Sequence, residues 1–260
     1  MTEQLVLTVD HGSVRVVMLN RPAARNALSR DLIRASYAAL TAADDDESVC
    51  AVVLTGTDPA FCAGVDLKEA ARDGLSYFEE FRSQSCIAAV ANMRTPIIGA
   101  INGATFTGGL EMALGCDFLV ASERAVFADT HARVGILPGG GMTARLPQLV
   151  GAAMARRLSM TGEVVDAARA ERIGLVTEVV VHERLLERAV DLAAQIADVP
   201  RPTMRGLKEI YTKGAAAVID PALSAEEAIA FAQHRDFDTL DVQFRAVTQR
   251  NKEQIRPDYD

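Results

Sequence analysis

The sequence predicts an α/β fold that ends in an all-helical tail. Three observations carry this reading. Up to Val180, short apolar runs with β-branched residues alternate with helical patterns. Glycine-containing turns separate several of those runs from the helix that follows. From Glu183 onward only helical periodicity remains. Strands alternating with helices imply right-handed crossovers and largely parallel pairing. A chain of 260 residues is long enough for one large α/β unit with an appended helical segment. We divide it into a core over 1–182 and a helical region over 183–260 of the same unit, with no Gly/Ser/Pro linker and no internal repeat between them.

The elements follow in order. Residues 5–9 and 14–19 are β-branched runs joined through His11 and Gly12, as in a hairpin. Ser29 is an N-cap for a helix running to about Ala43. The acidic cluster Asp44, Asp45, Asp46 and Glu47 reads as a solvated turn. Residues 50–55 (CAVVLT) are nearly all apolar, as expected of a strand buried on both faces. A helix over about 76–93, a strand at 97–101 after Pro96, a Gly-rich turn, a short helix to Leu114 and a strand at 117–121 come next. Gly139, Gly140 and Gly141 precede another helix, and 176–180 is the last strand. The tail reads as helices over 183–197, 201–213, 221–235 and 238–250.

Composition removes several function classes. A formal charge of −8 with no Lys/Arg block argues against nucleic acid as a partner. An anionic ligand would need a local basic pocket working against that field. No apolar run approaches the roughly 20 residues of a membrane span, and the N-terminus has no basic segment leading into an apolar one. A cytoplasmic protein is the expectation. Cys50, Cys62, Cys86 and Cys116 lack C-x-x-C spacing and read as free thiols. His11, His131, His182 and His234 are scattered, none paired at ligand spacing, so no metal site is expected. No G-x-G-x-x-G follows a first strand, which sets dinucleotide binding aside.

Two segments carry chemistry. AFCAGVDLKE (60–69) follows a buried strand and opens a helix. Gly64 permits a sharp turn, and the amides after it start a helix, where free N–H groups attract a negative oxygen. Taken alone, this is a β-to-α turn capped by Asp66. INGATFTGGLE (101–111) repeats the arrangement, with Glu111 in the first helical turn among apolar neighbours. Taken alone, Glu111 complements the helix dipole. Two such turns from neighbouring parallel strands can aim two N–H groups at one point. That is an oxyanion hole, in which losing one donor typically costs about 100- to 1000-fold in rate.

AFCAGVDLKE, then TPIIGAINGATFTGGLEMALGCDFLVAS, then FADTHARVGILPGGGMTARLPQLVG resemble, in order and spacing, the enoyl-CoA hydratase (crotonase) family. The resemblance covers roughly residues 5–215, and the C-terminal remainder matches more loosely. It implies a (ββα)n superhelix with a C-terminal helical trimerisation region. It implies an enzyme that stabilises the enolate of an acyl-CoA thioester, without a further cofactor, CoA being part of the substrate. The implied oxyanion donors are the amides of Val65 and Gly108. Arg25 and Lys68 resemble positions near the CoA phosphates, and Ala63, Asp66 and Leu67 lie where the family holds adenine and pantetheine. Helix 76–93 would line the acyl pocket through Phe78, Phe81 and Ile87, side chains that core packing explains as well. A homotrimer or dimer of trimers is expected.

One departure bears on the reaction. Typical hydratases hold the reacting water between two glutamates. Glu111 matches the first, and His131 stands where the second belongs. Histidine donates and accepts protons near neutral pH but cannot grip a water through two oxygens. Asp129, two residues away, is a further carboxylate, and a purely structural His131 with Glu111 working alone is the alternative. The expected activity is addition of water to a 2-enoyl-CoA. Double-bond isomerisation, decarboxylation, thioester hydrolysis or acyl-CoA binding without turnover stay open beside it.

Overall fold

The computed structural model describes residues 4–233 and 240–255. In chain order the elements are β1 (Val6–His11), β2 (Val14–Leu19), α1 (Arg30–Asp45), β3 (Ala51–Gly56), β4 (Ala60–Cys62), α2 (Leu67–Asp73), α3 (Leu75–Ser83), α4 (Cys86–Ala91), β5 (Ile97–Ile101), β6 (Ala104–Phe106), α5 (Gly108–Leu114) and β7 (Phe118–Ser122). They continue with β8 (Val126–Ala128), α6 (His131–Val134), α7 (Met142–Val150), α8 (Ala152–Thr161), β9 (Val165–Asp166), α9 (Ala167–Arg172), β10 (Glu178–Val180), α10 (Leu185–Ala197), α11 (Arg201–Gln233) and α12 (Leu240–Gln254).

Two sheets result. The larger has the order β1-β2-β3-β5-β7-β10 and is parallel except at the β1–β2 hairpin. The smaller has the order β4-β6-β8-β9, antiparallel only at β8–β9. Three successive units each give one strand to the large sheet, one to the small sheet, and then a helix: β3-β4-α2, β5-β6-α5 and β7-β8-α6. This is the (ββα)n superhelix.

The apolar runs of the sequence are continuous because the large sheet is covered on both faces. Val16, Val53, Ile98 and Val120 pack against Leu185, Ala189 and Ala193 of α10. Their neighbours Val17, Val52, Ile97 and Leu119 face the main core with Leu32, Ile87 and Met112 from α1, α4 and α5. Ser29 caps α1, its hydroxyl accepting from the Leu32 amide at 3.2 Å. All four cysteines are free. Among the described residues no helix is long and apolar enough to cross a membrane.

Four expectations need correction. The helix expected over 76–93 is broken, because the Ser85 hydroxyl accepts from the Ala88 amide and starts α4 anew. The small sheet went unread, since strands of two or three residues inside Gly-rich turns show no alternation. The helices expected at 201–213 and 221–235 are one, α11, with Pro221 inside it. Proline removes a donor from the helix ladder, but hydrogen bonds made farther along by Glu226 to Gly141 and Thr143 hold the continuation in place. Arg235 and Asp238, at the expected ends of helices, lie outside the described residues, as does His234. The acidic cluster is not merely solvated: Asp44 accepts from Arg94 Nε and the Thr95 amide, both at 2.8 Å. Arg201 and Arg205 of α11 donate to the carbonyls of Asp44 and Asp46 at the end of α1.

Candidate active site

The two glycine turns meet face to face. At Gly64 φ is +93°, and a Cβ there would sit 1.8 Å from Thr107 Oγ1. At Gly109 a Cβ would sit 2.1 Å from the Cys62 carbonyl oxygen. Each turn therefore fits the other only because these two residues have no side chain. Leu28 and Asp66 tie the first turn down through Leu28 N–H to the Gly64 carbonyl at 2.7 Å and Asp66 N–H to the Leu28 carbonyl at 3.3 Å. That pairing leaves the intervening Val65 amide without a hydrogen-bond partner among the described residues. Gly108 opens α5, so its N–H is one of the unpaired donors of a helix start. A Cβ built on Gly108 would lie 3.7 Å from Val65 N. Thr107, just before it, holds φ at +48°, a rare conformation for a β-branched residue and a mark of local strain.

These turns border a cavity of about 520 Å³. Its wall includes Arg25, Ala63, Val65, Asp66, Leu67, Lys68, Glu111 and His131. Gly108 does not itself line the cavity; it follows Thr107, which does, and a Cβ built on it would lie within 4 Å of Val65 N and Gly64 Cα. Phe78 lines the cavity, whereas Ile87 is buried in the core, and the side chain of Phe81 lies outside those described. Arg25 and Lys68 are exposed cations at the rim, locally opposing the negative net charge. The Asp66 carboxylate is already engaged, capping α2 through the Lys68 and Glu69 amides and pairing with Arg21 Nη1 at 2.6 Å.

Glu111 and His131 come together at the floor. Glu111 is 3% exposed, and its Oε1 accepts from the amides of Gly140 at 2.8 Å and Met142 at 3.3 Å. Its Oε2 lies 3.7 Å from His131 Nε2. That is too long for a direct hydrogen bond, but both atoms can contact one water standing beside them in the cavity. Asp129, also buried, sits 2.8 Å from His131 Nδ1. Burial opposes the Asp129 charge, but the hydrogen bond and charge of His131 outweigh it and hold the carboxyl below its ordinary range. An ionised carboxylate only accepts, so the proton is on Nδ1 and Nε2 is the atom turned toward Glu111. Burial opposes a charge on His131, yet the Glu111 carboxylate and the Asp129 hydrogen bond raise its pKa. Burial raises the pKa of Glu111 in turn, partly countered by His131. Both groups are thus shifted toward retaining a proton, and being so close they titrate as a pair rather than independently.

Sequence reasoning missed several parts of the site. The cavity is covered by the C-terminal helices through Glu227 and Ala230 of α11 and Val247, Thr248, Asn251 and Lys252 of α12. Glu226 of α11 reaches the turn at 141–143 from far away in sequence. Arg145 donates to the Gly140 carbonyl at 2.8 Å. Helical periodicity in the tail gave no sign that Glu226 points inward rather than to solvent.

Similarity to known proteins extends over most of the chain. The family model described as enoyl-CoA hydratase/isomerase matches residues 10–259. A probable enoyl-CoA hydratase of Rhizobium meliloti is 41% identical over 215 residues, 82% of this chain and 83% of its own length. A crotonyl-CoA hydratase of Syntrophomonas wolfei is 38% identical over 229 residues, 86% of this chain and 87% of its own. Among solved structures, the enoyl-CoA hydratase of Mycobacterium tuberculosis H37Rv superposes with a TM-score of 0.80 at 44% identity, covering 89% of this chain and all of that one.

Proposed function

The chain belongs to the enoyl-CoA hydratase/isomerase family, and from that premise we propose that it adds water across the double bond of a 2-enoyl-CoA, with Glu111 and His131 as the acid–base pair. The observation that carries the reading is the approach of Glu111 Oε2 to His131 Nε2 on the wall of the cavity that Val65 also lines.

In this reading the thioester oxygen accepts from the amides of Val65 and Gly108. Attack of water at Cβ moves the π electrons toward Cα and the carbonyl, giving an enolate whose charge rests on that oxygen. Two preorganised amides stabilise the enolate more than the ground state, which is what lowers the barrier. The acid–base pair shares one proton. Its deprotonated member takes the proton that the attacking water loses, and its protonated member delivers one to Cα. One H and one OH have been added, and the pair ends with a single proton again. The reaction calls for no cofactor beyond the CoA already on the substrate.

Arg25 and Lys68 at the rim support binding of the CoA phosphates. Ala63, Asp66 and Leu67, on the same wall, would border the adenine and pantetheine. The exposed apolar residues Leu207, Ile210, Tyr211 and Val218 along α11 support assembly into a homotrimer or dimer of trimers. Four free thiols support a reducing compartment such as the cytoplasm.

An Asp-oriented imidazole is also a suitable base for directing water at the thioester carbonyl itself, so hydrolysis is the one alternative the Asp129–His131 pair favours. The test uses crotonyl-CoA. Hydration bleaches the conjugated enoyl-thioester absorbance without releasing free CoA thiol, hydrolysis releases the thiol, and Glu111→Gln removes most of the bleaching. Thiol release without hydrated product overturns the reading, and wild-type bleaching by Glu111→Gln removes Glu111 from the mechanism.

A further inference from the structure

The turn that closes the cavity behind Glu111 is shared between two carboxylates. It contains the first amides of α7, which as helix-start donors need acceptors from outside the helix. Gly140 and Met142 donate to Glu111 Oε1, at 2.8 and 3.3 Å. Gly141 donates to Glu226 Oε1 at 2.6 Å, and Thr143 donates to Glu226 Oε2 through its amide at 2.6 Å and its hydroxyl at 2.5 Å. Successive amides therefore alternate between the catalytic carboxylate and a carboxylate 115 residues farther along the chain. Glu226 is 7% exposed and all three of its bonds go to this turn. Arg145 fixes the turn from a third side through the Gly140 carbonyl.

The placement of Glu226 adds a second consequence. The next residue on α11, Glu227, and then Ala230 form part of the cavity wall. The helix that covers the cavity is thus tied, through one side chain, to the amides that orient Glu111.

We propose that Glu226 is a positioning residue for Glu111: it holds the first turn of α7 so that the Gly140 and Met142 amides present themselves to the catalytic carboxylate, and so couples the covering helix α11 to the reacting geometry. The proposal rests on the reading of Glu111 as half of the acid–base pair. Without Glu226, the buried amide of Gly141 and the part-buried amide of Thr143 lose their acceptor, and the carboxylate left at this helix start for them to turn to is that of Glu111. The charged groups that face Glu226 and Glu111 here are Arg145 of α7, His131 of α6 and Asp129 before it, and Asp220 of α11 lies near Arg145. The negative charge of Glu226 favours proton retention on both Glu111 and His131.

The test compares Glu226→Gln and Thr143→Val with wild type in the crotonyl-CoA assay, using the full chain. Displacing a catalytic group by about 1 Å costs on the order of 100-fold, so Glu226→Gln should lose about 10- to 100-fold in kcat with KM little changed. Its pH profile should shift to lower pH, because the charge that held the proton on the pair is gone. Thr143→Val, which removes one hydrogen bond and no charge, should lose less in kcat and keep the wild-type pH profile. Three results overturn the proposal: a Glu226→Gln enzyme with wild-type kcat and pH profile, a kcat loss that only follows a fall in melting temperature with the profile unmoved, or, if Glu226→Gln does not fold, a Thr143→Val enzyme with wild-type kcat. Glu111→Gln run beside them separates the two readings. If it is inactive while Glu226→Gln is unaffected, only the positioning role falls. If it is active, the acid–base assignment falls.

Discussion

Replacing Gly64 by alanine should disable the enzyme without touching any side chain that does chemistry. The new Cβ would lie 1.8 Å from Thr107 Oγ1 and 2.8 Å from the Phe106 carbonyl oxygen. The first distance is about 1 Å inside the closest approach that real Cβ atoms make. Thr107 cannot simply turn away, since it lies in a strained conformation between β6 and α5. The two turns must separate by a distance of that order, and the Val65 amide moves with them relative to Gly108. A shift of about 1 Å at a reacting centre costs on the order of 100-fold. Complete loss of one oxyanion donor costs about 100- to 1000-fold, or roughly 2.7–4 kcal/mol of transition-state stabilisation. Gly64→Ala should therefore lower kcat/KM for crotonyl-CoA by about 100- to 1000-fold. Its positive φ alone adds a stability cost of roughly 1–2 kcal/mol. Gly12→Ala is the matched control, because Gly12 also has positive φ, lies in the remote β1–β2 turn and has nothing within 4 Å of its Cβ position. It should show a similar stability loss with unchanged kcat/KM. A folded Gly64→Ala enzyme within a few-fold of wild type would refute the idea that these two turns build the catalytic geometry.

Two further variants address the acid–base pair. Glu111→Gln should lower kcat by about 100- to 10,000-fold, the range for removing a general acid or base. Binding of a saturated acyl-CoA, followed by calorimetry, should be nearly unchanged. Asp129→Asn can donate to His131 Nδ1, which moves the imidazole proton to Nε2 and blocks the lone pair turned toward Glu111. A kcat loss of about 100-fold or more is expected. Asp129 also raises the His131 pKa, so its loss moves the histidine limb of the pH–rate profile to lower pH. An unmoved profile would show that His131 does not titrate in the reaction.

What the sequence revealed, and what it hid, follows from the range of the interactions. Strands β3, β5 and β7 were legible because both faces are buried and their runs are almost wholly apolar, and β2 because its β-branched run follows a turn signal at Gly12. The glycine turns were legible because Gly64 and Gly109 are demanded by contacts that leave no space for a side chain. The small sheet was not, since its strands are held by neighbours such as the Cys62 pairing with Thr105, not by a local pattern. Pro221 suggested the start of a new helix, because proline suits a first helical turn and local propensity opposes it within a helix, whereas α11 runs through it. The anchoring of Glu226 to Gly141 and Thr143 lies beyond any local window. His131 was recognised as a substitution, but its orientation depends on Asp129 and on a gap to Glu111 that only coordinates supply.

The most direct measurement of the oxyanion hole is vibrational. Crotonyl-CoA labelled with carbon-13 at the thioester carbonyl, bound to the slow Glu111→Gln enzyme, gives an isotope-edited infrared band for that bond alone. Two amide donors at Val65 and Gly108 should shift the band to lower frequency than in free solution, and Gly64→Ala should reverse most of the shift. A bound carbonyl at its free-solution frequency would contradict the account.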